Sequence, residues 1–466
     1  MADERFEEHL RHPSGLGEAP EGGHTGAAGG AACGDLIGFT VALEHGDTVR
    51  AGFDAEGCGA LTAAGSALHE SVDGMALLEA AAIGPRQVAE ALGGLSAGKI
   101  HTAELAADAF HRALGAAAVS CASLAPDHGR TLVAMSGGVD SAVAARLSGE
   151  QAVGVTVELW RDAENDPQGS CCSASAVRAA RAMAHANGMP HLTVDLRAEF
   201  REQVVDPWLD SHAAGETPNP CIRCNGGVRI DAMVALADRL GAAALATGHY
   251  ARISGDGLIR AAADARKDQS YMLARLRPET IARLRFPLGE LTKPEVRAIA
   301  RERGLAAAEA PESQDLCFLA GTQHDRFLAR HGGLTERPGV IVDAGGRALG
   351  EHGGHFAFTV GQRRGLGVQA PEPLYVTATD ARSNTVTVGP RDALDREEVP
   401  LREVVLHRTA GDVDGVRLRY RSDVVPCRLD GDLLRLDEPF RAPAPGQAAV
   451  LLDGDVVVGC GTIART

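Results

Sequence analysis

No stretch of about 18 consecutive apolar residues occurs in this chain of 466, so no segment is expected to cross a membrane as a helix. The first thirty residues lack the basic start and apolar core of a secretory signal. They are acidic and rich in Gly and Ala, and they read as a mobile leader, residues 1–31, of a cytoplasmic protein. A repeat of fixed period is also missing. Basic residues are in short supply, 46 Lys and Arg against 62 Asp and Glu, and the net charge of −16 is wrong for a uniform nucleic-acid surface. The deficit is uneven, however. Residues 1–125 hold 17 acidic and 6 basic side chains, a net of −11, and only −5 is left for the other 341 residues. The larger part can therefore still present a basic groove.

Ten cysteines in a chain without a secretory signal point to a reducing compartment, where close-set thiols are catalytic or metal-binding more often than disulfide-bonded. The length is too great for one core and predicts several domains. From Cys33 to about residue 124, apolar stretches broken by Gly-Asp give way to helical spacing in SALHESVDGMALLEAAAI and HTAELAADAFHRALGAA, the pattern of a small α+β unit (32–124). APDHG, 125–129, reads as a linker. Strands then alternate with helices: TLVAM, AVGVTVELW, HLTVDL and AAALATGHY are separated by helical segments, which predicts an α/β doubly wound parallel sheet over 130–324. Beyond about residue 335 come short strands and Gly/Asp turns, read as a small central domain (325–375) and a C-terminal β-barrel (376–466).

The strand TLVAM runs into SGGVDS, residues 136–141. Gly137 and Gly138 permit a tight turn with inward N–H groups, Ser136 and Ser141 add hydroxyls, and the following helix offers its positive end to an anion. Asp140 is the expected Mg²⁺ ligand beside the phosphates. The loop has no Gly-Lys-Ser/Thr and is not a Walker loop. It resembles the pyrophosphate loop (PP-loop) of ATP pyrophosphatases, which implies ATP as substrate and adenylation of an oxygen.

TPNPCIRCN places Cys221 and Cys224 in a Cys-x-x-Cys turn held by prolines, and Cys317 lies in ESQDLCF. A zinc ribbon would need a second such pair or a His pair at ordinary spacing, and none follows. Taken in order, SGGVDS, TPNPCIRCN, ATGHY, RKDQSYML, FPLGELTKPEVR, ESQDLCF, FTVGQRRGLG and RYRSDVVPCRL resemble the tRNA-specific 2-thiouridylases of the MnmA family over residues 130–466. That resemblance implies ATP-dependent 2-thiolation of the wobble uridine of tRNA. It assigns Cys224 as nucleophile and Cys317 as persulfide carrier. It places Ala134, Met135, Ser136, Gly137, Gly138, Val139, Asp140, Ser141, Val157 and Gly248 around the nucleotide. Asn219, Pro220 and Cys221 fall near the target base, and His249, Lys267, Asp268, Gln269, Arg419, Tyr420 and Gln447 at tRNA contacts. Better-known members have an aspartate where this chain has Cys221. The resulting three-cysteine set, Cys221, Cys224 and Cys317, resembles the 4Fe–4S site of a related group of tRNA thiolases, so a persulfide–disulfide route and a cluster route both stay open. Cys171 and Cys172 read as plain loop cysteines.

CGD, GCGA and GKIHTAELAADA resemble the iron–sulfur scaffolds of the IscU and NifU type. Cys33, Asp35, Cys58 and His101 match that family's ligands for a cluster or zinc. Thr102 stands where the third cysteine is expected, and Cys121 lies too far along to replace it. The expected partners are tRNA and a sulfur donor such as a cysteine desulfurase or sulfur-relay protein. Competing readings are an amidotransferase or argininosuccinate synthase-like ligase, which would need no cysteine pair, and a pure assembly scaffold, which would need no SGGVDS.

Overall fold

The computed structural model describes residues 4–29, 34–162, 174–305, 307–308, 316–319 and 321–465. The chain divides into two compact units. One comprises residues 1–198, 232–249 and 283–318, and the other residues 199–231, 250–282 and 319–466.

The first unit starts with an antiparallel sheet of His24–Gly29, Leu36–Glu44 and Thr48–Glu56, in that order. Alternation in LIGFTVALE turns Ile37, Phe39 and Val41 inward. Phe39 stacks on Phe53 at 5.5 Å and meets Phe110 edge-on at 5.8 Å. Phe110 belongs to the long helix Ile100–Cys121, whose alanines are small enough to lie close against the sheet.

The expected leader is corrected here. Residues Glu4–Arg11 form a helix, and HTGAAG forms the first strand, paired from His24↔Val41 to Gly29↔Leu36. The composition that looked disordered is a packing requirement. A Cβ on Gly26 would stand 2.4 Å from the carbonyl oxygen of Ala109 and the amide nitrogen of Ala113, so this strand must be nearly bare for the long helix to cover it. The linker is shorter than expected too. Asp127 already pairs with Ala242 in the strand Asp127–Ala134, and only residues 122–126 separate that strand from the helix.

Five parallel strands follow, ordered Leu284–Arg285, Ala242–Ala246, Asp127–Ala134, Ala152–Glu158, His191–Asp195. Chain order runs outward in one direction from Asp127–Ala134 through Ala152–Glu158 to His191–Asp195. It then restarts on the other side with Ala242–Ala246. The reversal between Asp127–Ala134 and Ala242–Ala246 is the switch point at which such sheets open a crevice for a ligand.

In the second unit a four-stranded sheet runs Ala348–His352, Gly339–Val342, Thr385–Gly389, Tyr375–Asp380. Its core of Ile341, Phe358, Leu366, Val376, Val386 and Val388 moves the expected boundary at 375 to about 390, because the last two strands complete this sheet. The C-terminal strands close into a barrel. Asp395–Leu406 pairs with Leu433–Arg441 at one edge and with Val456–Ile463 at the other, around a core that includes Val399, Leu401, Val416, Leu434, Leu451 and Val458.

Candidate functional site

The pyrophosphate loop sits at the switch point, between the strand Asp127–Ala134 and the helix Val139–Leu147. Met135 N–H donates to the Val155 carbonyl at 2.8 Å and ties the loop to the next strand, whose Val157 is half-buried at its end. Gly137 has φ +76° and Gly138 caps the helix in extended conformation. The Ser141 hydroxyl donates to the Gly138 carbonyl at 2.9 Å and accepts from Ser136 N–H at 3.2 Å, so the two serines hold the turn closed on itself. Gly248, just beyond the neighbouring strand, seals it from the other side. A Cβ there would lie 2.9 Å from the Asp140 carbonyl carbon and the Ser141 nitrogen, both backbone atoms. Ser136, Gly137, Gly138, Val139, Asp140, Ser141 and Gly248 are thus brought together. His249 turns its Nδ1 to the Thr247 hydroxyl at 2.8 Å and packs on Phe286.

One group at this loop was not singled out from the sequence. Lys293 Nζ lies 2.7 and 2.8 Å from the two carboxylate oxygens of Asp140 and is 8% exposed. It opens the helix Lys293–Glu302, which Thr292 and Glu295 cap reciprocally. TKPE is a readable helix start, but only the fold shows that the lysine returns to the loop. The carboxylate expected to hold Mg²⁺ already has a cation beside it, so Lys293 stands within reach of any phosphate that Asp140 serves.

In the second unit, Asn219 Oδ1 accepts from Cys221 N–H at 3.0 Å and caps the short helix Pro220–Cys224. Cys221 is half-buried and Cys224 buried, one helical turn apart. Asn219 and Pro220 line a cavity with Arg223, Arg275 and Arg402, of which Arg402 is held by Glu216 at 2.7 and 2.9 Å and Arg275 faces Glu403 at 3.6 Å in the same lining. A second cavity unites Arg419 and Gln447 with Arg441 and Gln362. The Tyr420 ring lies 5.9 Å from that of Tyr271, with the Arg421 guanidinium over it at 5.1 Å. Lys267 is half-buried, and Gln269 Oε1 accepts from Tyr250 N–H at 3.0 Å. Asp268 departs from expectation. It is 8% exposed, and its carboxylate receives Arg417 at 2.8 Å, the Ser270 hydroxyl at 2.9 Å and two backbone N–H groups. It organises the turn that carries Lys267 and Gln269, and its oxygens are engaged within the protein.

Cys317 belongs to the first unit. It is half-buried beside Phe318, which packs edge-on against Trp160 at 6.5 Å. The preceding residues 309–315 and the pair Cys171 and Cys172 lie outside the described residues.

The scaffold-like ligands converge on one oxygen. Asp35, 1% exposed, accepts the Cys58 N–H at 2.9 Å, and its Oδ2 stands 3.4 Å from Cys58 Sγ and 3.3 Å from His101 Nε2. Cys58 caps the helix Gly59–Val72. Sulfur, carboxylate and imidazole are the donor types a borderline cation takes, but here the three are bonded to one another through the Asp35 carboxylate. Cys33, the fourth expected member, lies outside the described residues. Among the described residues no group of three or more His, Cys, Asp and Glu is disposed to hold a metal ion. Thr102 is fully buried and donates to the Lys99 carbonyl at 2.8 Å. Cys121 sits at the far end of the same 22-residue helix as His101, about 30 Å away at 1.5 Å per residue, and cannot join the set.

A parallel sheet with a glycine-serine loop at its switch point defines a nucleotide-binding α/β domain, here behind a scaffold-type domain and before a β-barrel. Comparison with known proteins agrees with each part. Residues 2–118 match the NifU-like N terminal domain, 129–321 the tRNA methyl transferase HUP domain, 325–390 the tRNA methyl transferase PRC-barrel domain and 411–463 the aminomethyltransferase beta-barrel domain. A bifunctional protein NifU/MnmA of Rubrobacter xylanophilus is 44% identical over 99% of this chain and 98% of its own length. The tRNA-specific 2-thiouridylases MnmA of Roseiflexus sp. (strain RS-1) and Syntrophotalea carbinolica are 42% and 44% identical over 72% of this chain and 99% and 98% of theirs. The chain belongs to the tRNA-specific 2-thiouridylase family, in the form that carries a NifU-like domain ahead of the enzyme.

Proposed function

We propose that this chain uses ATP to adenylate the C2 oxygen of the wobble uridine in tRNA and then replaces that oxygen with sulfur. The observation that carries the reading is the loop at the switch point, shaped for a pyrophosphate and closed by Gly248, in a chain of this family. Ser136, Gly137, Gly138 and Ser141 hold the phosphates through N–H and hydroxyl donors. Lys293 and Asp140 serve the leaving pyrophosphate as cation and Mg²⁺ ligand, and Val157 lies against the base of the nucleotide. Adenylation turns a poor leaving oxygen into AMP. Sulfur comes from a persulfide on Cys317. Its outer sulfur bonds to C2, AMP departs with the oxygen, and a bond from Cys224 to the Cys317 sulfur frees the thiocarbonyl. The resulting Cys224–Cys317 disulfide carries two oxidising equivalents: a dithiol removes them when a persulfide donor reloads Cys317, whereas with sulfide as the source sulfide attacks the Cys317 sulfur, expels the Cys224 thiolate and becomes the outer sulfur of the next persulfide. Cys221, one turn before Cys224, is the reason for a second route, in which Cys221, Cys224 and Cys317 would hold a 4Fe–4S cluster and the cluster would supply an iron site for sulfide. Asn219 and Pro220 present this helix to the base. His249, Lys267, Gln269, Arg419, Tyr420 and Gln447 contact the RNA. The NifU-like domain receives sulfur or a cluster from a donor such as a cysteine desulfurase, with Cys33, Asp35, Cys58 and His101 as its holding groups.

The test is nucleoside mass spectrometry of unmodified tRNA after incubation with the full chain, sulfide and ATP. 2-Thiouridine that depends on ATP supports the reading. Its absence with both sulfide and a desulfurase overturns it.

A further inference from the structure

The scaffold-like domain touches the nucleotide-binding domain through a built interface inside the first unit. The helix Ile100–Cys121 lies on His191–Asp195, the edge strand of the parallel sheet. A Cβ on Gly115 would stand 1.7 Å from the Thr193 carbonyl oxygen, so only glycine admits this approach. The His191 N–H donates to the Ala81 carbonyl at 3.0 Å, and His185 Nε2 meets the same oxygen at 3.0 Å. Charge pairs complete the contact. Asp108 receives Arg178 at 3.1 Å and Arg181 as well, and Arg112 grips both oxygens of Glu158. Arg181, Asp108 and Glu158 are 3%, 7% and 7% exposed in their side chains.

Both sets of pairs end on elements that flank the nucleotide loop. Glu158 directly follows Val157 on the same strand. Arg178 and Arg181 belong to the helix Ala174–Ala186, which passes over the loop so closely that a Cβ on Gly137 would lie 3.3 Å from the Ala176 carbonyl. Removing one partner of a buried ion pair leaves an uncompensated charge and is strongly destabilising, so each pair holds in place the segment that carries the other charge. The scaffold side chains Asp108 and Arg112 therefore set the position of two walls of the crevice.

From this geometry we infer that the fused scaffold is also a positioning element for ATP, with Asp108 and Arg112 acting through Arg178, Arg181 and Glu158. The inference rests on the reading of the loop as an ATP site. It gives the scaffold a second role that does not depend on sulfur delivery.

The experiment uses the full chain, unmodified tRNA, sodium sulfide as sulfur source and varied ATP, so that supply through the scaffold is bypassed. Arg112→Ala is expected to raise KM for ATP by roughly 2- to 30-fold, the span of couplings carried along packed networks, with kcat nearly constant. Arg112→Lys restores most of the affinity. Arg178→Ala, at a guanidinium 44% exposed, gives a smaller rise and keeps the test open if Arg112→Ala fails to fold. Arg86→Ala, on an exposed scaffold surface, changes nothing. An unchanged KM for ATP in folded Arg112→Ala and Arg178→Ala overturns the inference, as does a fall in kcat alone. A wild-type chain that makes no 2-thiouridine with ATP defeats the ATP-site reading instead, so the two failures are distinguishable.

Discussion

The nucleotide loop and the scaffold pocket are both small polar sites at helix N-termini, and they are assembled in opposite ways. Six consecutive residues, Ser136 to Ser141, form most of the loop, and their hydroxyls close it internally. The scaffold pocket draws Asp35, Cys58 and His101 from three segments, with one buried carboxylate at the centre. A local site keeps its shape if the strand and helix around it fold. A dispersed site depends on every segment that reaches it, and the buried Thr102 beside His101 bonds to the Lys99 carbonyl and offers no thiol.

The largest effects should separate activation from sulfur transfer. Cys224→Ala and Cys317→Ala should each lower 2-thiouridine formation by roughly 10³-fold or more, the scale on which removing one member of a nucleophilic set acts. ATP binding, followed by calorimetry, should be unaltered. A mutant that thiolates at the normal rate removes that cysteine from the chemistry.

Asp140→Ala and Lys293→Ala should each reduce tRNA-dependent pyrophosphate release by about 10²- to 10³-fold, as the loss of one preorganised charge at a developing anion does. If Lys293→Ala releases pyrophosphate normally, the ion pair only braces the helix Lys293–Glu302. The scaffold pocket should respond differently. Cys58→Ala should slow thiolation driven by a desulfurase and cysteine by about tenfold, which corresponds to a coupling of about 1.4 kcal/mol. The sulfide-driven rate should stay within a factor of two of wild type, a difference of roughly 0.4 kcal/mol. Equal losses under both supplies would make Cys58 structural.

Acid should attack the boundary between the two domains. Burial lowers the pKa of His111 and His191 well below the ordinary imidazole value and brings that of His185 to about 4, with Arg181 opposing protonation of all three. The neutral forms are the folded ones, so the unfolded chain binds more protons between about pH 6.5 and 4. Stability therefore falls as pH drops through that window, by at most about 1.4 kcal/mol per pH unit for each histidine. Thermal unfolding from pH 7.5 to 4.5 checks the sign, and a midpoint that does not move would contradict it. Smallest of all, Arg419→Ala and Lys267→Ala should each flatten the slope of log affinity for tRNA against log salt by about one counterion or slightly less. An unchanged slope would take that side chain off the backbone.

The legibility of the sequence followed the same division. SGGVDS, its strand and its helix were readable because their bonds span five residues or fewer, and ATGHY gave Gly248 by resemblance. Asp35, Cys58 and His101 were found only because a known scaffold has the same spacing. Lys293 was missed because a separation of 153 positions from Asp140 carries no local signal. Asp108, Arg112, Arg178 and Arg181 were missed for the same reason, and helical periodicity gives a buried arginine on one face no special mark. The leader was misread because a strand made bare to receive a helix has the composition of a disordered tail. The barrel and the parallel sheet were legible from alternation and turns, whereas the boundary near 390 depended on which strands pair.

On the proposed mechanism one loop activates the base for the sulfur that follows, and AMP, pyrophosphate and 2-thiouridine measured in one reaction of the full chain with ATP, sulfide and unmodified tRNA show whether it does. One of each per turnover is predicted for wild type, and none of the three for Asp140→Ala. Formation of 2-thiouridine without ATP, or by Asp140→Ala at the wild-type rate, would contradict the account.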